Sequence, residues 1–132
     1  MKLESILQRS NLPNSSNEYK VILVKLDNEL YLRFSEEPTW IHSLHADILR
    51  TFLEENKIPY DKIARGEKRK IPKYIGERYE TLNMGKADVD LENNHIYFGG
   101  YSRDYPLSIN REMIGLIQPL LPELKIEYKN LE

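Results

Sequence analysis

Residues 19–26 read Tyr-Lys-Val-Ile-Leu-Val-Lys-Leu, and this stretch decides the fold. Its β-branched and nearly continuous apolar composition predicts a central strand that is covered on both faces. Asp27-Asn28 follows as a hairpin-turn signal, and residues 29–34 (ELYLRF) alternate as a second strand should. The fold is therefore expected to begin with a hairpin whose first strand lies inside a sheet.

A helix and a basic stretch follow this hairpin. Apolar residues spaced by three and four predict a helix within 39–56, and Pro59 prevents its continuation. Residues 57–80 combine many Lys and Arg residues with Pro and Gly. This composition predicts a long, mobile basic loop with an extended piece at its end.

The second half of the chain returns to strand and helix patterns. Alternation at 81–91 and the run at 95–101 predict two more strands, and residues 124–128 predict a final one. Ser108 is the expected N-cap of a second helix. These elements predict an α/β (α+β) domain, in which a mixed sheet of five or six strands is flanked by two helices.

Composition limits the possible chemistry. A length of 132 residues fits one domain, expected over 19–132, with residues 1–18 as a flexible N-terminal segment. The net charge of −2 argues against a protein that coats nucleic acid or a membrane. The absence of cysteine excludes disulfides, thiolate nucleophiles and Cys-based metal sites. With no apolar run that could span a membrane and no signal peptide, we expect a cytoplasmic protein.

Histidine is then the main candidate for chemistry near neutral pH. If the helix already runs at residue 41, His45 lies on its apolar side as a half-buried core residue. If the helix begins near residue 44, His45 lies in its first turn, where the N–H groups of 45–47 face an anion. His42, His45 and Asp47 provide too few ligands for a metal site, so we expect no metal and no cofactor.

A second candidate site is the loop at residues 99–106, which follows a strand and precedes a helix. Its small residues allow backbone N–H groups to turn towards an anion, and Ser102 adds a hydroxyl donor. The loop lacks the signatures of a Walker phosphate loop and of a nucleophile elbow, and a tight turn without a ligand is the alternative. Lys20 and Lys86 are either solvated strand residues or point charges for a phosphate.

Four short motifs occur in a fixed order along residues 18–128. They are Tyr-Lys-Val-Ile-Leu at 19–23, His-Ala-Asp-Ile at 45–48, Gly-Lys at 85–86 and the strand at 96–102 that ends in Gly-Tyr-Ser. This order, together with the Ser-capped helix and the final strand, resembles the protein histidine phosphatases, the Janus/Ocnus family. The resemblance implies a compact α/β fold and a hydrolase that removes phosphate from phosphohistidine in a protein partner.

The resemblance also implies a set of site residues. It makes His45 the general base, and it implies no metal ion. The implied substrate-binding residues are Lys20, Ala46, Lys86, Ser102, Arg103 and Asp104.

Two of these residues depart from the pattern of the family. Lys86 stands where the family typically carries Arg, which keeps the charge but loses bidentate geometry. Asp104 places a carboxylate where a small residue is expected, so its side chain either turns outward or pairs with Arg103.

Two alternative functions remain open at this point: a phosphate-binding or phosphopeptide-binding module of the same fold without catalysis, and RNA binding through 57–80. No aromatic stacking motif accompanies that basic segment, so nucleic acid is not the expected partner.

Overall fold

The computed structural model describes residues 12–13, 15–41 and 44–131. In this part the chain forms seven strands, two α-helices and one 3-10 helix. Their bounds are β1 Glu18–Leu26, β2 Glu29–Phe34, α1 His45–Glu55, β3 Lys62–Ala64, β4 Lys70–Pro72, β5 Tyr79–Asp90, β6 His95–Gly99, α2 Arg111–Ile117, the 3-10 helix Gln118–Leu120 and β7 Lys125–Tyr128.

Five of the strands form one mixed sheet in the order β2-β1-β5-β6-β7. All neighbouring strands are antiparallel except β6 and β7, which are parallel. β3 and β4 form a separate antiparallel hairpin. The predicted α+β class, with a mixed sheet and two helices, is confirmed.

β1 is covered on both faces, as its sequence predicts. Ile22 and Val24 belong to the apolar cluster under α1, whereas Val21 and Leu23 belong to the cluster under α2. These four side chains are fully buried. The sheet therefore separates two cores, and each helix closes one of them.

The turn after β1 also follows the prediction. Asp27 and Asn28 have φ values of 48° and 68°, the left-handed conformations that a type I′ hairpin turn requires. Asp and Asn tolerate this region better than most residues. The turn fixes a register in which Val21 lies opposite Phe34 and Leu26 opposite Glu29.

The prediction of a long, mobile loop over 57–80 is wrong. The segment contains β3 and β4, and its last residues begin β5. Ile63 lies opposite Ile71, and Ile71 is only 1% exposed in the core under α1. Two isolated apolar residues among many cations are too weak a pattern to reveal strands of three residues.

The expected N-cap of the second helix is also wrong. Helix α2 begins at Arg111, and the Asn110 side chain accepts a hydrogen bond of 2.9 Å from the Met113 amide. Ser108 instead forms an isolated β-bridge with Tyr101, and its carbonyl accepts from the Asn83 side chain. Ser and Asn are comparable N-caps, so tertiary pairing decides between them.

Most of the predicted flexible segment 1–18 lies outside the described residues. At its described end, the Ser16 hydroxyl accepts from the Leu91 amide, and the Asn17 carbonyl accepts from the Val89 amide. Strand β1 then begins at Glu18. In the described ranges no helix is both long and apolar enough to cross a bilayer.

Candidate active site

His45 is the first residue of α1, and its side chain is buried, with 2% of the residue exposed. Its Nε2 atom lies 2.8 Å from the Gly85 carbonyl oxygen on β5. Because a carbonyl oxygen only accepts, Nε2 carries the proton and Nδ1 keeps the lone pair of the neutral ring. Within the described residues Nδ1 has no hydrogen-bond partner, so the ring presents an open acceptor.

Glycine at position 85 allows the segments around this carbonyl to pack closely. A Cβ atom there would overlap the Gly99 carbonyl oxygen and the Ile109 side chain. Glycine is thus required where β5, β6 and the segment before α2 approach each other. The close packing fixes the carbonyl that orients His45.

Burial lowers the pKa of His45 from 6.5 to about 4. The bond to the Gly85 carbonyl opposes this shift, and the positive charges of Lys20 and Lys86 add to it. The negative charge of Asp104 raises the pKa of the ring. The ring is therefore neutral at pH 7, and the charges of three predicted site residues reach it.

Lys20 and Lys86 lie side by side in the sheet. They are Cα partners across β1 and β5, and Lys86 is in turn the partner of Gly99 on β6. With about 4.8 Å between neighbouring strands, this row spans about 10 Å from Lys20 to Gly99. Alternation places both lysines on the face that carries Ile22 and α1.

The surroundings of the two lysines combine burial with nearby charges. Burial lowers the pKa of Lys20, Asp104 raises it, and Lys86 and Arg103 lower it further. Lys86 Nζ lies 3.7 Å from Glu18 Oε1, and its side chain is only 22% exposed. The two ammonium groups thus form a partly desolvated cationic patch beside the first turn of α1, and such a patch favours an anion.

The start of α1 adds backbone donors to this patch. The sequence left two starts open for this helix, residue 41 and a residue near 44, and the structure has the second. Helix α1 begins at His45, with Leu44 as an extended N-cap that makes no side-chain cap bond. The Asp47 amide donates to the Leu44 carbonyl at 3.1 Å. In the part of the chain that the structure describes, the amides of His45 and Ala46 keep no internal acceptor. Ala46 contributes its amide alone, because its methyl group is fully buried.

The loop at 99–106 approaches the patch from β6, and Ser102 organises it. The Ser102 amide donates to the Leu107 carbonyl at 2.9 Å, and its Oγ accepts from the amides of Asp104 and Tyr105 at 3.2 and 3.3 Å. Among the described residues the hydroxyl hydrogen of Ser102 has no acceptor, so it can be donated to an anion. The Asp104 amide is therefore already engaged, whereas the Arg103 amide has no acceptor among the described residues.

Asp104 does not pair with Arg103 through its side chain. Its carboxylate accepts two hydrogen bonds from the Arg69 guanidinium, at 3.1 and 3.3 Å, and Arg65 Nε lies 3.7 Å away. The Asp104 side chain is only 10% exposed. Arg65 and Arg69 come from the turn between β3 and β4, and sequence reasoning missed their role in the site. The basic composition of 57–80 indicates their charge, but no nearby residue in the sequence indicates that Asp104 is their partner.

His95 has its own partners, on β6 and β7. His95 Nε2 lies 3.0 Å from Glu127 Oε2, and its ring packs on Tyr97. His42 lies outside the described residues. In the described ranges no group of three or more His, Asp or Glu side chains could hold a metal ion.

Comparison with known proteins finds no matching family model and no matching curated protein. The resemblance to protein histidine phosphatases therefore remains a hypothesis based on short motifs. Any functional proposal depends on the cluster itself: a buried neutral imidazole, two neighbouring ammonium groups and free backbone donors.

Proposed function

We propose that this protein is a metal-independent phosphatase that hydrolyses phosphohistidine in a protein substrate. The observation that carries the proposal is His45, a buried neutral ring that is oriented through Nε2 by Gly85 and whose Nδ1 has no hydrogen-bond partner among the described residues. A ring with one fixed N–H and one free lone pair is the form that a general base needs. We include a cytoplasmic location in the proposal, and cell fractionation tests it.

The surroundings of His45 suit a phosphoryl group. In phosphoryl transfer, negative charge spreads over three equatorial oxygens, and catalysis depends on positioned donors and cations. Here Lys20 and Lys86 supply positive charge, and the first amides of α1 supply N–H donors. The Ser102 hydroxyl and the Arg103 amide supply donors from the opposite loop.

In the proposed reaction, water attacks phosphorus directly. A water oxygen forms the new P–O bond while His45 Nδ1 takes one of its protons. The P–N bond breaks, its electron pair goes to the imidazole nitrogen of the substrate, and that nitrogen takes a proton from solvent. Inorganic phosphate and the protein with its unmodified histidine leave, and His45 returns its proton to solvent. General-base assistance of this kind is typically worth about 10²–10⁴-fold.

The low pKa of His45 fits this role. The cations Lys20 and Lys86 contribute to lowering it, and a dianionic phosphate between them offsets their charge. Substrate binding is therefore expected to raise the pKa of His45 and to strengthen the base when it is needed. The ring stays neutral before substrate arrives, so it does not need to lose a proton first.

The test is a hydrolysis assay on a phosphohistidine-containing protein in excess chelator. The natural chain is expected to retain full activity in chelator, because no step requires a metal. His45→Gln keeps a donor for Gly85 but cannot accept a proton, so kcat should fall by about 10²–10⁴-fold. Loss of activity on chelation, or an unchanged rate in His45→Gln, would contradict the mechanism.

A non-catalytic phosphate-binding or phosphopeptide-binding module is the second candidate, because the cations and N–H donors around His45 could hold a phosphate without any proton transfer to the ring. Binding of inorganic phosphate without any turnover of phosphohistidine would support this module over the enzyme.

A further inference from the structure

The segment 61–73 concentrates positive charge in a chain that is acidic overall. It contains six Lys and Arg residues against Asp61 and Glu67, a net charge of +4. The whole chain has a net charge of −2, so the remaining residues together carry −6. This uneven distribution needs an explanation, because a uniformly mixed surface suffices for solubility.

The segment is a two-faced hairpin rather than a solvated loop. Ile63 and Ile71 are cross-strand partners, and they face the core under α1. Lys62 and Lys70 alternate with these isoleucines, so they lie on the outer face, and both are exposed. The inner face anchors the hairpin, and the outer face presents its charge to solvent.

Four contacts fix the hairpin against the loop at 99–106. The Tyr105 hydroxyl donates to the Pro72 carbonyl at 2.6 Å, and the Tyr105 ring packs edge-on against Tyr74. Arg65 donates to the Arg103 carbonyl at 3.2 Å, and the Arg69 guanidinium binds the Asp104 carboxylate. A partner whose phosphohistidine enters the pocket would therefore meet the hairpin at a defined position.

The two arginines of the hairpin make contacts within the protein, whereas its lysines point to solvent. Arg65 and Arg69 are used inside the protein, on Asp104 and on the loop backbone. The remaining cations of the hairpin are exposed and form no ion pair within the described ranges. We call these cations the lysine face: Lys62 and Lys70 on the outer side of the strands, Lys68 in the turn between them and Lys73 directly after β4.

We propose that the lysine face docks an acidic stretch of the same phosphoprotein whose phosphohistidine enters the pocket. This inference rests on the proposed function, because it names the protein chemistry that would accompany the phosphorylated residue. Four flexible ammonium groups suit carboxylates whose geometry is not fixed, whereas arginine would favour bidentate partners. Charge of this kind mainly speeds association and sets the orientation of the partner.

An acidic protein fits these observations better than RNA. Residues 62–73 contain no Phe, Trp or Tyr on which a base could stack. The net charge of −6 on the rest of the chain would also repel a long polyanion that extends past the hairpin. A short acidic stretch that is confined to the lysine face avoids this repulsion.

The test is fluorescence anisotropy with three labelled probes and the full chain. The probes are a Glu-rich peptide, the same peptide with Gln for every Glu, and a single-stranded RNA of similar length. The test variant is Lys62→Gln/Lys68→Gln/Lys70→Gln. The matched control is Lys25→Gln/Lys57→Gln/Lys125→Gln, which removes the same charge from exposed lysines outside the hairpin.

The Glu-rich peptide is expected to bind the natural chain at about 0.1 M salt and to be released at about 1 M, where the Debye length falls to about 3 Å. Its affinity should drop by about tenfold or more in the test variant and by less than about twofold in the control. Equal losses in both variants, equal binding of the Gln peptide, or tighter binding of RNA would overturn the proposal.

The docking proposal and the proposed function fail in different ways. His45→Gln should bind the Glu-rich peptide as the natural chain does, because His45 lies outside the lysine face. If no phosphohistidine is hydrolysed while peptide binding still depends on the lysine face, the enzyme proposal is wrong and the docking surface stands. If hydrolysis occurs and the Glu-rich peptide binds both variants equally, the docking proposal alone is wrong.

Discussion

Replacing His45 by Gln should change how the stability of the protein depends on pH. The ring has a pKa of about 4 in the folded chain, against 6.5 as its ordinary value. Between these two pH values the unfolded chain binds more protons at this ring than the folded chain does. Stability from this group is therefore complete above about pH 6.5 and is lost as pH falls towards 4.

The size of the effect follows from the same two pKa values. At about 1.36 kcal/mol for each pH unit, the full gap corresponds to about 3 kcal/mol. Between pH 7.5 and pH 5 the expected loss is about 2 kcal/mol. His45 is only 2% exposed, so solvent screening does not reduce this figure substantially.

The assay is urea unfolding of the natural chain and of His45→Gln at pH 7.5 and at pH 5. Gln retains an amide donor for the Gly85 carbonyl but does not titrate, and other titrating groups contribute to both proteins alike. The advantage of the natural chain in free energy of unfolding should shrink by about 2 kcal/mol at the lower pH. A difference between the two proteins that does not change with pH would show that His45 is not held neutral by the fold.

Three further predictions concern neighbouring groups. Arg69→Gln should lower the free energy of unfolding by about 1–2 kcal/mol in urea titrations, because the nearly buried Asp104 carboxylate loses its bidentate partner. Adding Asp104→Asn should restore most of this loss. If the double variant stayed as unstable as Arg69→Gln, the unpaired carboxylate would not be the cause. Lys20→Gln should raise the pKa of His45 in an NMR titration, because the ammonium charge lowers it now, and should weaken binding of inorganic phosphate by about tenfold. An unchanged ring titration would mean that Lys20 does not act on His45. Thr81→Val should increase the free energy of unfolding by about 1 kcal/mol, because Thr81 Oγ1 is buried and finds no hydrogen-bond partner in the described part of the chain. A destabilised valine variant would reveal a partner for that hydroxyl.

The parts of the fold that depend on local patterns could be predicted from the sequence. The apolar run of β1 predicts burial on both faces, and Asp27-Asn28 predicts the turn that follows. The two three-residue strands at 62–64 and 70–72 could not be predicted, because a single isoleucine in each is all that indicates a buried strand. Their burial depends on a partner surface, the face of α1, which lies elsewhere in the sequence.

In the candidate site, too, the local features could be predicted and the contacts between distant residues could not. The residue types at His45, Lys20 and Ser102 can be read from the sequence, and so can a helix within 39–56, although two starts for that helix stayed open. The contacts that orient the side chains of the site join residues far apart in the chain: His45 with Gly85, and Arg69 with Asp104. Sequence reasoning assigned Asp104 two possible orientations and did not consider Arg69, because a basic run does not indicate which carboxylate it will bind.

The most direct test of the proposed function compares the natural chain with His45→Gln. The measured quantity is the rate at which a phosphohistidine-containing protein loses phosphate in chelator. The natural chain should turn over, the variant should be slower by about 10²–10⁴-fold, and both should bind inorganic phosphate. Equal rates in the two proteins, or no turnover by the natural chain above the uncatalysed rate, would contradict the claim that His45 is the base of a phosphatase.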